Sequence, residues 1–173
     1  MPRLLSHFLY DKNKHNSPLY KHPSALGFHE ACVNSIKQYE VCFKKLGHRA
    51  CAYDTSVMAE TLLGLQIGMY SVFVRDWLAV FPRNQITFIK FEDYITNMVP
   101  VLEDLFSFLE LDKMDRSEII EKISSDRSIA NRGKNYEDIP EMLNETRLML
   151  QQFYSPFLAE LRHLIGEQFY WNY

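Results

Sequence analysis

The stretch "RNQITFIKFEDY", residues 83 to 94, constrains the fold most, because Ile86, Phe88, Ile89 and Phe91 form a short, nearly continuous apolar run. Enrichment in β-branched and aromatic side chains predicts a buried strand, of the kind found in parallel sheets. Ahead of it, "GLQIGMYSVFVRDWLAVFP" spaces Tyr70, Phe73, Trp77 and Val80 at three- and four-residue intervals. That spacing predicts a well-packed helix ending before Pro82. Behind the run, Met98, Val101, Leu102, Leu105, Phe106 and Leu109 share one face of a helix over about residues 96–110, with Pro100 tolerated in its first turn. Helix, strand, helix is the alternation of a three-layer α/β domain. A parallel strand needs neighbours to satisfy its backbone, and no second strand is evident. The expectation is therefore one partial domain over residues 1–173, the C-terminal portion of an α/β fold, mostly helical with one or two parallel strands.

The remaining segments are read the same way. Residues 11–24, polar and broken by Pro18 and Pro23, predict a mobile loop. Phe28, Val33, Ile36, Tyr39 and Phe43 recur at helical spacing between Ala25 and Lys45, predicting a surface helix with Gly47 as its stop. Asp115 and Glu118 have capping-box spacing ahead of a short helix running to about Ser124. Pro140 suits the first turn of a helix carrying Leu143, Thr146, Leu150 and Phe153; Ser155 and Pro156 then read as the cap and first residue of another, ended by Gly166.

Composition narrows the chemistry. The formal net charge of −3 gives no general attraction to nucleic acid, so any anion site must be a local cluster. No apolar run reaches the length of a membrane span, and the N-terminal apolar stretch is too short for a signal peptide. The glycines at 27, 47, 64, 68, 133 and 166 never form a nucleotide-binding fingerprint. Histidines 7, 15, 22, 29, 48 and 163 are scattered, which suits surface or hydrogen-bonded roles. Cys32, Cys42 and Cys51 lack zinc-type spacing, so no metal site is expected. From spacing alone, Cys42 and Cys51 either close a small loop across Gly47 or remain reduced and buried with Cys32. Glu92 and Asp93, just past the predicted strand, fit a ligand crevice or a helix cap equally well.

One local cluster has the right chemistry for an anion. Arg132, Gly133 and Lys134, in "SIANRGKNYEDIP", lie between two helical segments. A basic pair around a glycine can set backbone N–H groups and two cations against one phosphate. The same triplet also suits an ordinary solvated turn. "NET" makes Asn144 the sole N-glycosylation sequon, inside a predicted helix.

The ordered series from "GMYSVFVRDW" through "FIKFEDY" and "NRGKNYED" to "FYSPF" and a terminal "FYW" resembles the carbohydrate sulfotransferases. Within them, "RLLSHFLY", "ALGFHEACVNSI" and "YEVCFKKLGHRACAYD" resemble the chondroitin-type N-acetylgalactosamine 4-sulfate 6-O-sulfotransferases. The resemblance implies a P-loop NTPase-like sulfotransferase fold and transfer of sulfate from 3′-phosphoadenosine 5′-phosphosulfate to a glycosaminoglycan or other carbohydrate hydroxyl. By position, Arg3 and Ser6 match the second Arg and the Ser of the family's 3′-phosphate motif, and Arg132, Gly133 and Lys134 match its second hold on the nucleotide. The resemblance further implies a Golgi-lumen enzyme, a Cys42–Cys51 disulfide and a free Cys32. The family's loop for the 5′-phosphosulfate and its catalytic base have no counterpart in residues 1–173, so no catalytic residue is assigned. The alternative expectation is a non-catalytic sulfotransferase-like module that binds a glycan or a protein.

Overall fold

The computed structural model describes residues 24–61, 63–126 and 141–169. Along the chain run α1 (Ala25–Tyr53), α2 (Thr55–Glu60), a 3₁₀ turn (Leu65–Gly68), α3 (Tyr70–Val80), a second 3₁₀ turn (Arg83–Gln85), α4 (Phe91–Thr96), α5 (Met98–Phe108), α6 (Arg116–Asp126), α7 (Asn144–Ile165) and a last 3₁₀ turn (Glu167–Phe169). Two compact units are distinguished, one formed by Met1–Val80 with Asn135–Tyr173 and the other by Phe81–Lys134.

In the first unit α1 begins at Ser24, whose hydroxyl accepts from the Gly27 N–H at 3.1 Å. The helix is broken at Gly47, which sits at φ 78°, ψ 168°. A positive φ of that kind suits glycine, which has no Cβ to clash. The Cys42–Cys51 disulfide shows how far the chain turns there. Nine residues along a straight helix span about 13.5 Å, yet these two Cα atoms lie 5.9 Å apart. The arm after Gly47 therefore folds back on the arm before it, and the bridge fastens the reversal.

Removing that bridge with Cys42→Ser and Cys51→Ser together should lower unfolding stability by about 2.5–3 kcal/mol, the loop-closure entropy returned to the unfolded chain. Urea denaturation measures the loss. Cys32 is free and fully buried, and burial pushes its thiol pKa up to about 12. A thiol reagent should accordingly find no reactive group in the native protein and one after denaturation.

α1 is a core helix rather than the surface helix its periodicity suggests. Phe28, Cys32 and Tyr39 are fully buried, together with Leu65, Met69 and Leu150. The expected stop at Gly47 is a reversal, beyond which helix resumes to Tyr53. The returning arm is tied to α3: the Arg49 guanidinium donates to Asp76 at 2.9 Å and the Tyr53 hydroxyl donates to the same carboxylate at 2.9 Å. The Arg49 hydrogen bond, then that of Tyr53, holds the Asp76 carboxyl below its ordinary range.

α3 has the expected span, but the side it buries is different. Ser71 and Val72 are buried, Phe73 is half-buried, and Tyr70, Trp77 and Val80 are exposed, Trp77 by 62%. α7 is one helix of 22 residues where two were expected. Ser155 is not a cap, and Pro156 sits in the helix interior, where proline removes a hydrogen bond and costs about 3 kcal/mol. Burial of Tyr154, Phe157, Leu161 and Ile165 around it outweighs that cost. Gly166 terminates the helix as expected, at φ 113°.

The second unit carries the run that predicted a strand. No strand forms among the described residues. Ile86 and Lys90 keep extended backbone angles, and Phe91 opens α4. A strand without a neighbour gains no ladder of hydrogen bonds, and the Ile86 carbonyl accepts instead from the Arg83 guanidinium at 2.6 Å. Ile86 is buried, but Ile89 and Phe91 are largely exposed. α5 and α6 match their predicted spans closely, and the Ile119 N–H donates to the Asp115 carbonyl at the start of α6.

Candidate functional site

Arg3, Ser6, Arg132, Gly133 and Lys134, the residues expected to bind the nucleotide, lie outside the described residues, as do Pro140 and the predicted loop up to Pro23. What the structure fixes is where their segments join the fold. Residues 1–23 lead into Ser24 at the head of α1, and residues 127–140 lead into Glu141–Leu143 at the head of α7. These two helix starts belong to one unit. His29 in the second turn of α1 and Thr146 in the first turn of α7 meet at 2.7 Å, ring Nδ1 to hydroxyl. Thr146 is fully buried, and Phe28, Met142 and Leu150 around the pair belong to the same apolar core. A buried hydroxyl left without its partner costs about 1–3 kcal/mol, so the pairing holds the two heads together as well as satisfying Thr146.

A second junction sits on the 3₁₀ turn. The Tyr154 hydroxyl donates to the Leu65 carbonyl at 2.9 Å, and Tyr39 donates to the Gln66 side-chain oxygen at 2.8 Å. Gly68 lies against the Tyr154 ring so closely that a Cβ there would come within 2.6 Å of it. The "GMY" and "FYSPF" stretches therefore meet: a phenol hydrogen-bonds the turn and only glycine leaves room for its ring. The ring of Phe157 adds contacts with Phe43 at 5.9 Å and with His48 at 4.9 Å.

Neither contact was evident from the residues alone. The partners are separated by 117 and 89 positions, and periodicity within one helix says nothing about such pairings. Glycine followed shortly by a run of helical spacing was the one available signal at Gly68.

Glu92 and Asp93 occupy the first turn of α4, where carboxylates favour the positive end of the helix dipole. Lys90 caps α4 without a side-chain hydrogen bond, so this placement does not choose between the two roles the sequence allowed the pair. The groove of about 440 Å³ beside the disulfide is lined by Lys37, Lys45, Asp54 and Glu60 among others. Its charges oppose one another, and the Asp54 carboxylate is engaged by the Ser56 hydroxyl and the N–H groups of Ser56 and Val57, which hold its pKa down. A groove with cancelling charges offers a sulfated glycan no net attraction. Among the described residues, no helix is long and apolar enough to cross a membrane.

The sulfotransferase domain matches residues 7–155, and the chain belongs to that family, whose fold is P-loop-like. It is homologous to carbohydrate sulfotransferase 15: the human protein is 29% identical over 171 residues, covering 98% of this chain and 29% of its own length. The mouse protein is 28% identical over the same share of each chain, and that of the squid Nototodarus sloanii is 32% identical over 129 residues, covering 75% of this chain and 80% of its own. The chain thus spans less than a third of the mammalian relatives. No solved structure matches it.

Proposed function

We propose that this chain carries one part of the donor site of a carbohydrate sulfotransferase, which moves sulfate from 3′-phosphoadenosine 5′-phosphosulfate to a glycosaminoglycan sugar hydroxyl in the Golgi lumen. Ser6 on one segment, and Arg132, Gly133 and Lys134 on the other, hold the 3′-phosphate, with Arg3 beside Ser6 in the same nucleotide-binding motif. The observation that carries the reading is the His29–Thr146 contact, which keeps the helix starts following those two segments side by side. Two cations and a hydroxyl brought to one phosphate make charge-assisted hydrogen bonds, the strong class. The Cys42–Cys51 bridge supports an oxidising compartment.

In sulfuryl transfer the acceptor hydroxyl oxygen bonds to sulfur as the bond from sulfur to the phosphate oxygen breaks, releasing adenosine 3′,5′-bisphosphate. The reacting atoms must be in line, with cationic groups offsetting charge on the leaving side. Holding the 3′-phosphate fixes the nucleotide so that alignment is reached. Calorimetric titration of the protein from its full reading frame with adenosine 3′,5′-bisphosphate tests the reading: saturable binding at one site is expected, and absence of binding would sink it.

A further inference from the structure

We infer that Asn144 carries an N-linked glycan, and that it is attached before α7 packs against α1. This rests on the reading that the protein matures in the secretory pathway, which the buried disulfide between Cys42 and Cys51 independently favours.

The sequence Asn144-Glu145-Thr146 is a complete acceptor, with no proline at its centre. Asn144 is the first residue of α7 and is exposed, and Leu143 before it is extended at φ −58°, ψ 142°. A side chain there projects from the helix start into solvent, where a branched glycan fits without disturbing the core. Leu148, one turn further along the same face, is 58% exposed. Residues four apart on a helix are neighbours, so the first sugars at Asn144 lie beside this apolar side chain and can cover it.

The third sequon residue sets the order of events. The Thr146 side chain, which the acceptor motif requires, is fully buried in the folded protein and its hydroxyl is joined to His29 at 2.7 Å. A transferase reading the motif cannot reach that hydroxyl once the two helices have docked. The modification therefore belongs to the nascent chain, and folding then seals the threonine while leaving the modified asparagine outside. Thr146 consequently serves twice, first as the third residue of an accessible sequon and later, with His29, as the buried tie between α1 and α7.

The test uses the full chain secreted from cultured cells behind a signal peptide, with a second acceptor sequon in a C-terminal tag as an internal control. Digestion with peptide N-glycosidase should show two glycans, Asn144→Gln should leave one, and Thr146→Ser, which keeps the motif and the hydroxyl, should retain two. Unmodified protein from bacteria, offered to purified oligosaccharyltransferase with a lipid-linked donor, should be refractory when folded and modified at Asn144 when unfolded. A glycosylated tag beside a bare Asn144 would overturn the proposal while leaving the sulfotransferase reading intact. Equal modification of folded and unfolded protein would overturn the order of events. A glycan at Asn144 on a protein that binds no adenosine 3′,5′-bisphosphate would support the proposal and contradict the donor-site reading.

Discussion

Phe157→Ala should lower the stability of the folded chain by about 3–5 kcal/mol, the range for deleting a buried phenyl ring and leaving its cavity. Phe157 is only 2% exposed, and its ring packs among Phe43, His48 and Phe153. It therefore links α7 to both sides of the Gly47 reversal, so its loss removes contacts on α1 as well as its own burial. The same ring also helps keep Pro156 inside a continuous helix, since burial of its neighbours offsets the missing backbone hydrogen bond. Leu26→Ala, at an exposed position of α1, should by contrast change stability by no more than about 0.5 kcal/mol. Urea denaturation of both variants decides the matter. Equal effects would show that the aromatic cluster does not hold the unit together.

The second large effect falls on binding. Arg132→Ala with Lys134→Ala should weaken adenosine 3′,5′-bisphosphate roughly 100-fold or more, because each charge-assisted contact contributes about 1.5–3 kcal/mol. Arg132→Lys should recover part of the affinity, since lysine keeps the charge but loses the two-pronged geometry of the guanidinium. The thermal midpoint of the unliganded double variant should stay close to that of the parent, as expected for residues that serve a ligand rather than the core. A double variant that binds as tightly as the parent would return the triplet to the ordinary turn that composition alone allowed.

Local signals in the sequence predicted the helices well where the deciding chemistry was local. Gly166 ends α7 at positive φ as a stop residue should, Gly47 at positive φ breaks α1 without ending it, and Pro100 lies in the first turn of α5. Local chemistry misled at Ser155 and Pro156, where a plausible cap and first position were overridden by the core packing of Tyr154, Phe157 and Leu161. It misled again at Ile86 to Phe91, because an apolar β-branched run signals strand propensity but cannot supply the neighbour a sheet requires. The Cys42–Cys51 bridge was implied by family resemblance, with spacing leaving it open, and the structure contains it. Of the candidate site, the basic pair around Gly133 has residue types that suit a phosphate or an ordinary turn, and it lies outside the described residues. The His29–Thr146 tie was not legible, because contacts between distant segments leave no periodic trace.

The central claim is that two segments far apart in sequence close on one phosphate, and a double-mutant cycle addresses it most directly. Affinity for adenosine 3′,5′-bisphosphate would be measured calorimetrically for the parent, Ser6→Ala, Arg132→Ala and the two together. Residues sharing a bound group couple by about 0.5–3 kcal/mol, whereas independent sites add to within about 0.3–0.5 kcal/mol. The account predicts that the double variant loses less affinity than the sum of the single losses, by an amount in the coupled range. Strict additivity, or a Ser6→Ala variant that binds as the parent does, would contradict it.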